Sequence, residues 1–264
     1  MKDTQKHQEF HDFARDLARS GGAVTLDWFS RRELVVETKA DDSPVTVADR
    51  TTEEVIRRMI TDRFPHHAVV GEEHGGSIRG KGFEWVIDPI DGTKTFVRGV
   101  PLYTTLVALL ENGVPVAGVI YAPATGEMVS ALSGHGAWDE RRRPVGVSGT
   151  TRLEDAWYVT TDPVDFHRRH RGFSTDLLTQ CRSSRTWADA YGYMLLARGA
   201  VDIMLDPILA PWDVAALGVI VREAGGVFTD FSGVEQNLGE SALACATPEL
   251  HRAVMTLRNR TAGT

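Results

Sequence analysis

Apolar residues keep helical spacing between residues 8 and 30, where Phe10, Phe13, Ala14, Leu17, Ala18, Val24 and Trp28 recur. That spacing predicts an amphipathic helix. Gly21-Gly22 interrupts it, at about 1 kcal/mol per glycine relative to alanine, which predicts either a close packing contact or a kink. Residues 33–38 read as a short strand and 39–44 as a loop. A second helix is expected from about Thr46 to Arg63, burying Val55, Ile56, Met59 and Ile60 and stopping before Pro65. The period then shortens to that of strands: Ala68–Val70, Trp85–Ile87, Thr104–Leu110, Val114–Tyr121 and Glu127–Leu132. Turn residues at Asn112-Gly113, Ala124-Thr125-Gly126 and Ser133-Gly134 make residues 102–147 an antiparallel meander. Beyond Val147 strands and helices alternate: strand Trp157–Thr161, helices Ser174–Gln180 and Asp189–Ala197, strand Val201–Leu205, helix Trp212–Ala224, strand Val227–Thr229. That is an α/β pattern. The change in pattern places a boundary near residue 146, between an N-terminal α+β domain (1–146) and a C-terminal α/β domain (147–264).

Composition removes several classes. With 42% hydrophobic and 25% charged residues in 264, the chain is neither disordered nor fibrous. A net charge of −7 speaks against a nucleic-acid footprint. An acidic protein that handles an anionic substrate needs metal ions or local donors to reverse the sign at its site. Cys181 and Cys245 make no disulfide framework and no metal cluster, as expected of reduced thiols in the cytoplasm. The N-terminus is polar, and no run approaches the ~18–20 apolar residues of a membrane span. A cytoplasmic protein without membrane association is therefore expected. The P-loop pattern GxxxxGK[ST] is absent.

The chemistry lies in acids at predicted strand ends. Gly71-Glu72-Glu73 follows one apolar strand, Asp88-Pro89-Ile90-Asp91-Gly92-Thr93 follows the next, and Asp213 opens a helix far downstream. Loops at the carboxyl ends of strands converge easily. A turn through Pro89 can aim Asp88, Asp91 and the carbonyl of Ile90 at one cavity. That mix of oxygens suits a hard divalent cation. Gly92 and Thr93 then offer consecutive N–H groups for phosphate. Each acid also has an ordinary explanation. A DxxD pair is commonly a solvated turn, Asp213 fits a first helical turn, and Asp49 fits a capping box begun by Thr46. Those explanations do not cover the whole string.

The string resembles the inositol monophosphatase family of Mg²⁺-dependent, lithium-sensitive phosphomonoesterases. The similarity rests on Gly71-Glu72-Glu73, on Trp85 to Thr93, on Trp212-Asp213-Val214-Ala215-Ala216, and on the segments from Ser43 to Asp49 and Glu223 to Gly226. It runs from about residue 10 to 250. It implies a layered αβαβα sandwich, a homodimer, and a small phosphorylated metabolite as substrate. By resemblance Glu72, Asp88 and the Ile90 carbonyl hold one Mg²⁺, and Asp88, Asp91 and Asp213 hold a second. Glu72 also faces a weaker third site, and Mn²⁺ is an alternative occupant. Thr93 and Asp49 orient and deprotonate the attacking water, and Gly92 and Thr93 take phosphate oxygens. A non-catalytic phosphate-binding member would lack a ligand; none is missing.

The substrate is read from two further acids. Asp189 stands where inositol phosphatases tend to have a small residue, and Asp206 where the family often sets an acid against substrate. Two acids beside the leaving group suit a cationic alcohol such as histidinol, with its amine and partly protonated imidazole. Lys94 to Gly99 also resembles the histidinol-phosphatase branch. Histidinol phosphate is therefore the expected substrate. The alternatives are inositol 1-phosphate and a broad range of sugar or nucleotide phosphates. Asp189 as a helix cap and Arg98 at a subunit contact remain open readings.

Overall fold

A computed structural model describes residues 2–29, 36–38, 44–187, 189–235 and 238–261. The expected strand 33–38 and loop 39–44 lie largely outside these residues; Val36–Thr38 (β1) and Pro44–Thr46 (β2) form a small antiparallel pair. Helix α1 runs unbroken from Lys2 to Trp28, so the glycine pair does not kink it. The packing alternative holds instead. A Cβ on Gly21 would lie 2.7 Å from Ile56 Cδ1, and one on Gly22 would lie 2.5 Å from the Tyr121 ring. Helix α2 (Val47–Arg63) packs beside α1, burying Ile56 and Ile60 as expected, while Val55 and Met59 stay half-buried. Asp49, Thr52 and Glu53 are the unexpected buried members of that face.

The first sheet contains β3 (Ala68–Gly71), β4 (Phe83–Asp91), β5 (Thr104–Glu111), β6 (Val114–Ala122), β7 (Glu127–Leu132) and β8 (Gly136–Asp139) in sequential order. Only the β3–β4 pair is parallel. Its strands are apolar on both faces, and successive residues serve different cores. Trp85, Ile87, Val107 and Leu109 join Leu17 and Ile60 beneath α1 and α2. Val86, Leu106 and Ala108 face the opposite layer. A five-residue helix, α3 (Thr93–Val97), follows β4 directly.

The second sheet has the order β10-β9-β11-β13-β12. Its strands are β9 (Trp157–Thr160), β10 (Ser183–Arg185), β11 (Ile203–Leu209), β12 (Val227–Thr229) and β13 (Glu240–Cys245). Helices α4 (Pro163–Arg169), α5 (Arg171–Gln180) and α9 (Pro248–Thr261) cover its outer face through Phe166, Phe173, Leu177, Leu250 and Val254. Helices α6 (Ala190–Ala197) and α8 (Leu217–Glu223) fill the space between the sheets. Two helices, a sheet, two helices, a sheet and three helices make the αβαβα sandwich. The helix expected over 212–224 is two pieces, α7 (Pro211–Val214) and α8, separated at Ala215-Ala216. Strands β8, β10 and β13 and helices α4 and α9 have no counterpart in the sequence reading.

Candidate active site

Asp88 to Asp91 is not the expected turn beyond a strand. It is the end of β4 itself. Asp88 pairs with Leu106 and Asp91 with Thr104, so three steps along β4 match two along β5. That is a bulge, which bends a strand and re-aims its side chains. Pro89 has no N–H to lose from the ladder. Ile90 buries its side chain against Ala48, Phe96 and Tyr103, which fixes the segment from below. Helix α7 brings Asp213 to the same place, with Pro211 at its first position and Ala210 N–H donating to Asp213 Oδ2 at 2.7 Å. Asp213 is thus both a helix-start acid and a member of the acid cluster.

Asp88, Asp91 and Asp213 each offer an oxygen within 4.8 Å of the others. The fold grips each carboxylate from behind. Ile90 N–H donates to Asp88 Oδ1 at 3.0 Å, and Thr104 Oγ1 and Ala190 N–H donate to Asp91 Oδ2 at 2.9 and 2.8 Å. Burial, and then the charges of Glu72, Asp91 and Asp213, hold the Asp88 carboxyl well above the usual carboxylate range. Asp91 is raised likewise by burial and then by Asp189 and Asp213. Asp213 is pushed up to about 7, mainly by burial and further by Glu72, Asp206 and Asp189. Crowded acids of this kind are unfavourable unless protonated or neutralised. A set of carboxylate oxygens at this spacing fits a hard divalent cation.

Around the cluster the other expected residues line one cavity of about 530 Å³, Glu72, Ile90, Gly92, Thr93, Asp189 and Asp206 among them. Asp49 sits just behind Thr93. Its Oδ2 accepts from Thr46 N–H (2.8 Å) and Thr46 Oγ1 (2.6 Å), completing the capping box of α2. Its Oδ1 lies 3.4 Å from Thr93 Oγ1, which also reaches the Ile90 carbonyl at 3.1 Å. The cap and the pair with Thr93 therefore coexist. Burial raises the Asp49 carboxyl, assisted by the charge of Glu72. Gly92 has φ +83°, and a Cβ there would come within 2.6 Å of Asp189 Oδ2. Only glycine fits that corner.

Asp189 does not act as a side-chain cap of α6. Its Oδ2 accepts from Thr95 Oγ1 at 3.2 Å, and its backbone sits at φ +54°, rare for a residue with a Cβ. Such strain is characteristic of functional positions. Asp206 is only 3% exposed, and its oxygens accept from Thr161 N–H (3.2 Å) and Tyr193 O–H (3.1 Å). Burial, with Asp189 adding repulsion, pushes its carboxyl up to about 6.

Thr104, Thr161, Tyr193 and Glu53 were not read from the sequence. Glu53, fully buried, accepts from Glu73 N–H (2.6 Å), His74 N–H (3.1 Å) and Arg57 Nε (2.6 Å), so it anchors the loop that carries Glu72. Its signal was available: Asp49, Glu53, Ile56 and Ile60 keep helical spacing on one face.

The pattern of the inositol monophosphatase family matches residues 6–262. A histidinol-phosphatase from Chlorobaculum parvum is 40% identical over 250 residues, covering 90% of this chain and 92% of that one. A histidinol-phosphatase from Mycobacterium tuberculosis is 40% identical over 251 residues, covering 92% and 95%. The solved structure of an inositol monophosphatase from Zymomonas mobilis superimposes with a TM-score of 0.84 at 28% identity, covering 96% of this chain and 98% of that one. With its fold, its acid cluster and these relatives, the chain belongs to the inositol monophosphatase family and is a phosphoric monoester hydrolase.

Proposed function

We propose that the chain hydrolyses histidinol phosphate to histidinol and phosphate with the help of Mg²⁺. One observation carries the choice of substrate. The cavity wall beyond the metal-type cluster is itself acidic, bearing Asp162, Asp165, Asp189 and Asp206 against the two cations Lys94 and Arg168. A leaving alcohol with an ammonium group gains there, whereas a neutral polyol gains nothing from the excess of negative charge. The histidinol-phosphatase relatives at 40% identity support the same substrate.

Glu72, Asp88, Asp91, Asp213 and the Ile90 carbonyl would hold two to three Mg²⁺ ions. When bound, these supply positive charge against the phosphate oxygens and lower the pKa of the attacking water. The chain's own residues do the rest. Thr93 Oγ1 receives the water proton while passing its own to Asp49 Oδ1; Asp49 can accept it because Thr46 holds only the other oxygen. Gly92 and Thr93 N–H groups orient the phosphate. Asp189 and Asp206 hold the leaving alcohol by its cationic groups. A homodimer is proposed as the working unit, and light scattering at micromolar protein should give a dimeric mass.

The substrate is tested by phosphate release from histidinol phosphate, inositol 1-phosphate and glycerol phosphate. Histidinol phosphate should lead inositol 1-phosphate in kcat/KM by well over tenfold. Losing one charge-assisted hydrogen bond costs about 1.5–3 kcal/mol, or about 10–150-fold. Asp189→Asn should therefore erode the preference by that factor and leave glycerol phosphate nearly untouched. Equal losses on all substrates, or a native preference for inositol 1-phosphate, would contradict the proposal.

A further inference from the structure

Several helical threonines of this chain turn their hydroxyls back on their own helix. Thr61, Thr175, Thr179 and Thr256 each donate to the carbonyl four residues earlier. That is an ordinary use of a helical hydroxyl. Thr95, in α3, does otherwise. Its Oγ1 donates across the fold to Asp189 Oδ2 at 3.2 Å, a residue 94 positions away in the chain.

The backbone of Asp189 is held without that bond. Its N–H donates to Thr161 Oγ1 at 3.1 Å, and the next N–H, of Ala190, donates to Asp91 Oδ2 at 2.8 Å. Those two bonds pin the peptide at its unusual φ of +54°. The carboxylate, by contrast, has no hydrogen-bond donor but Thr95 among the described residues. Its Oδ2 fills the corner that Gly92 leaves open, three residues before Thr95. Oδ1 accepts no hydrogen bond among the described residues and is not one of the fully enclosed unpartnered atoms, so it is open to the cavity that Asp189 lines. Lys94, exposed on the same helix, is near enough for its charge to act on Asp189, yet no ion pair joins them among the described residues. A carboxylate freed from Thr95 could turn to that ammonium group instead.

We propose that Thr95 is a positioning residue for the leaving group: its hydroxyl seats Asp189 Oδ2 against Gly92 and keeps Oδ1 turned to the cation of the substrate. The proposal rests on the reading of Asp189 as a contact to the leaving alcohol. Thr93 and Thr95 share α3. The helix that orients the attacking water therefore also sets where the charge of the alcohol is read.

Steady-state kinetics of Thr95→Val in Mg²⁺ test this, because valine keeps the branched shape and removes the hydroxyl. KM for histidinol phosphate should rise by about 3–10-fold, the range for one hydrogen bond, with kcat within about twofold. Glycerol phosphate carries no cation, and its two constants should stay near native. Thr95→Ser should restore the native KM. In an Asp189→Ala chain, Thr95→Val should add nothing, as expected where one residue acts through the other. A crystal structure of Thr95→Val should show the Asp189 carboxylate off its seat against Gly92. An unchanged KM, equal losses on both substrates, additive effects in Asp189→Ala, or a Thr95→Val crystal with Asp189 still seated would each overturn the proposal. The substrate reading fails separately. A native chain without a preference for histidinol phosphate contradicts that reading, and the seat of Asp189 in the Thr95→Val crystal then decides the positioning by itself.

Discussion

The two ends of β4 carry buried acids with opposite meanings. Near its start Glu84, fully buried, accepts from Arg79 N–H at 2.6 Å and Gly80 N–H at 2.9 Å. At its end Asp88 and Asp91 are pressed toward each other and toward Asp213. Glu84 is a fastening: backbone donors replace the water it gave up. The Asp88 cluster has donors on one side and like charges on the other, so folding alone leaves it unfavourable. Burial of a carboxylate therefore does not mark a site. What marks it is an unbalanced set of charges, which a cation from solution can balance.

The largest difference between the two ends should appear in turnover. Asp88→Asn or Asp213→Asn should abolish phosphate release, a loss of more than about 10³-fold, because an amide removes charge that a divalent ion needs. The same variants in chelator should melt no lower than the native chain, since they relieve repulsion. Thr93→Ala should come next, lowering kcat by roughly 10²–10⁴ through lost proton transfer, with melting temperature little changed. Glu84→Gln should do the reverse. It should cost about 1–3 kcal/mol of stability in denaturant melts, from impaired bonds to two buried donors, and leave kcat within a few-fold.

A smaller but sharper contrast lies in pH. The Asp206 and Asp213 carboxyls sit at about 6 and 7, above the ~3.9 of an unfolded chain. Raised acids favour the fold where they are protonated. Their contribution is complete below about pH 4 and is lost as pH rises through 6 to 7. In chelator, melting temperature should accordingly fall between pH 5 and pH 8. In saturating Mg²⁺ that fall should be reduced or reversed. A pH-independent melting temperature in chelator would remove the electrostatic basis of the comparison.

Local pattern carried much of this architecture. The stripe from Phe10 to Trp28, the meander and the DPIDGT string are all legible because spacing and turn chemistry act over a few residues. What stayed hidden depends on distant partners. Strand β13 pairs Cys245 with both Ile203 and Val227, so its place is set by two strands elsewhere in the chain. The bulge in β4 exists only against the register of β5, and a turn was the natural reading of its proline. Helix α4 did carry a local sign, Asp162 capping with Pro163 at the first position. Among the candidate site residues, the acids with a motif around them were legible as candidates. Thr104, Thr161 and Tyr193 were not, because what singles them out is the carboxylate or backbone N–H they meet across the fold.

The most direct test of the account is a calorimetric Mg²⁺ titration at pH 8, on the native chain and on Asp213→Asn, with phosphate release followed in parallel. The native chain should gain stability as Mg²⁺ is added, by about 2.7 kcal/mol at a hundredfold excess over the dissociation constant, and should gain activity over the same range. Asp213→Asn should show neither response at those concentrations. Full activity after exhaustive chelation, or an Asp213→Asn chain that responds like the native one, would contradict the claim that this cluster is built to be completed by a metal.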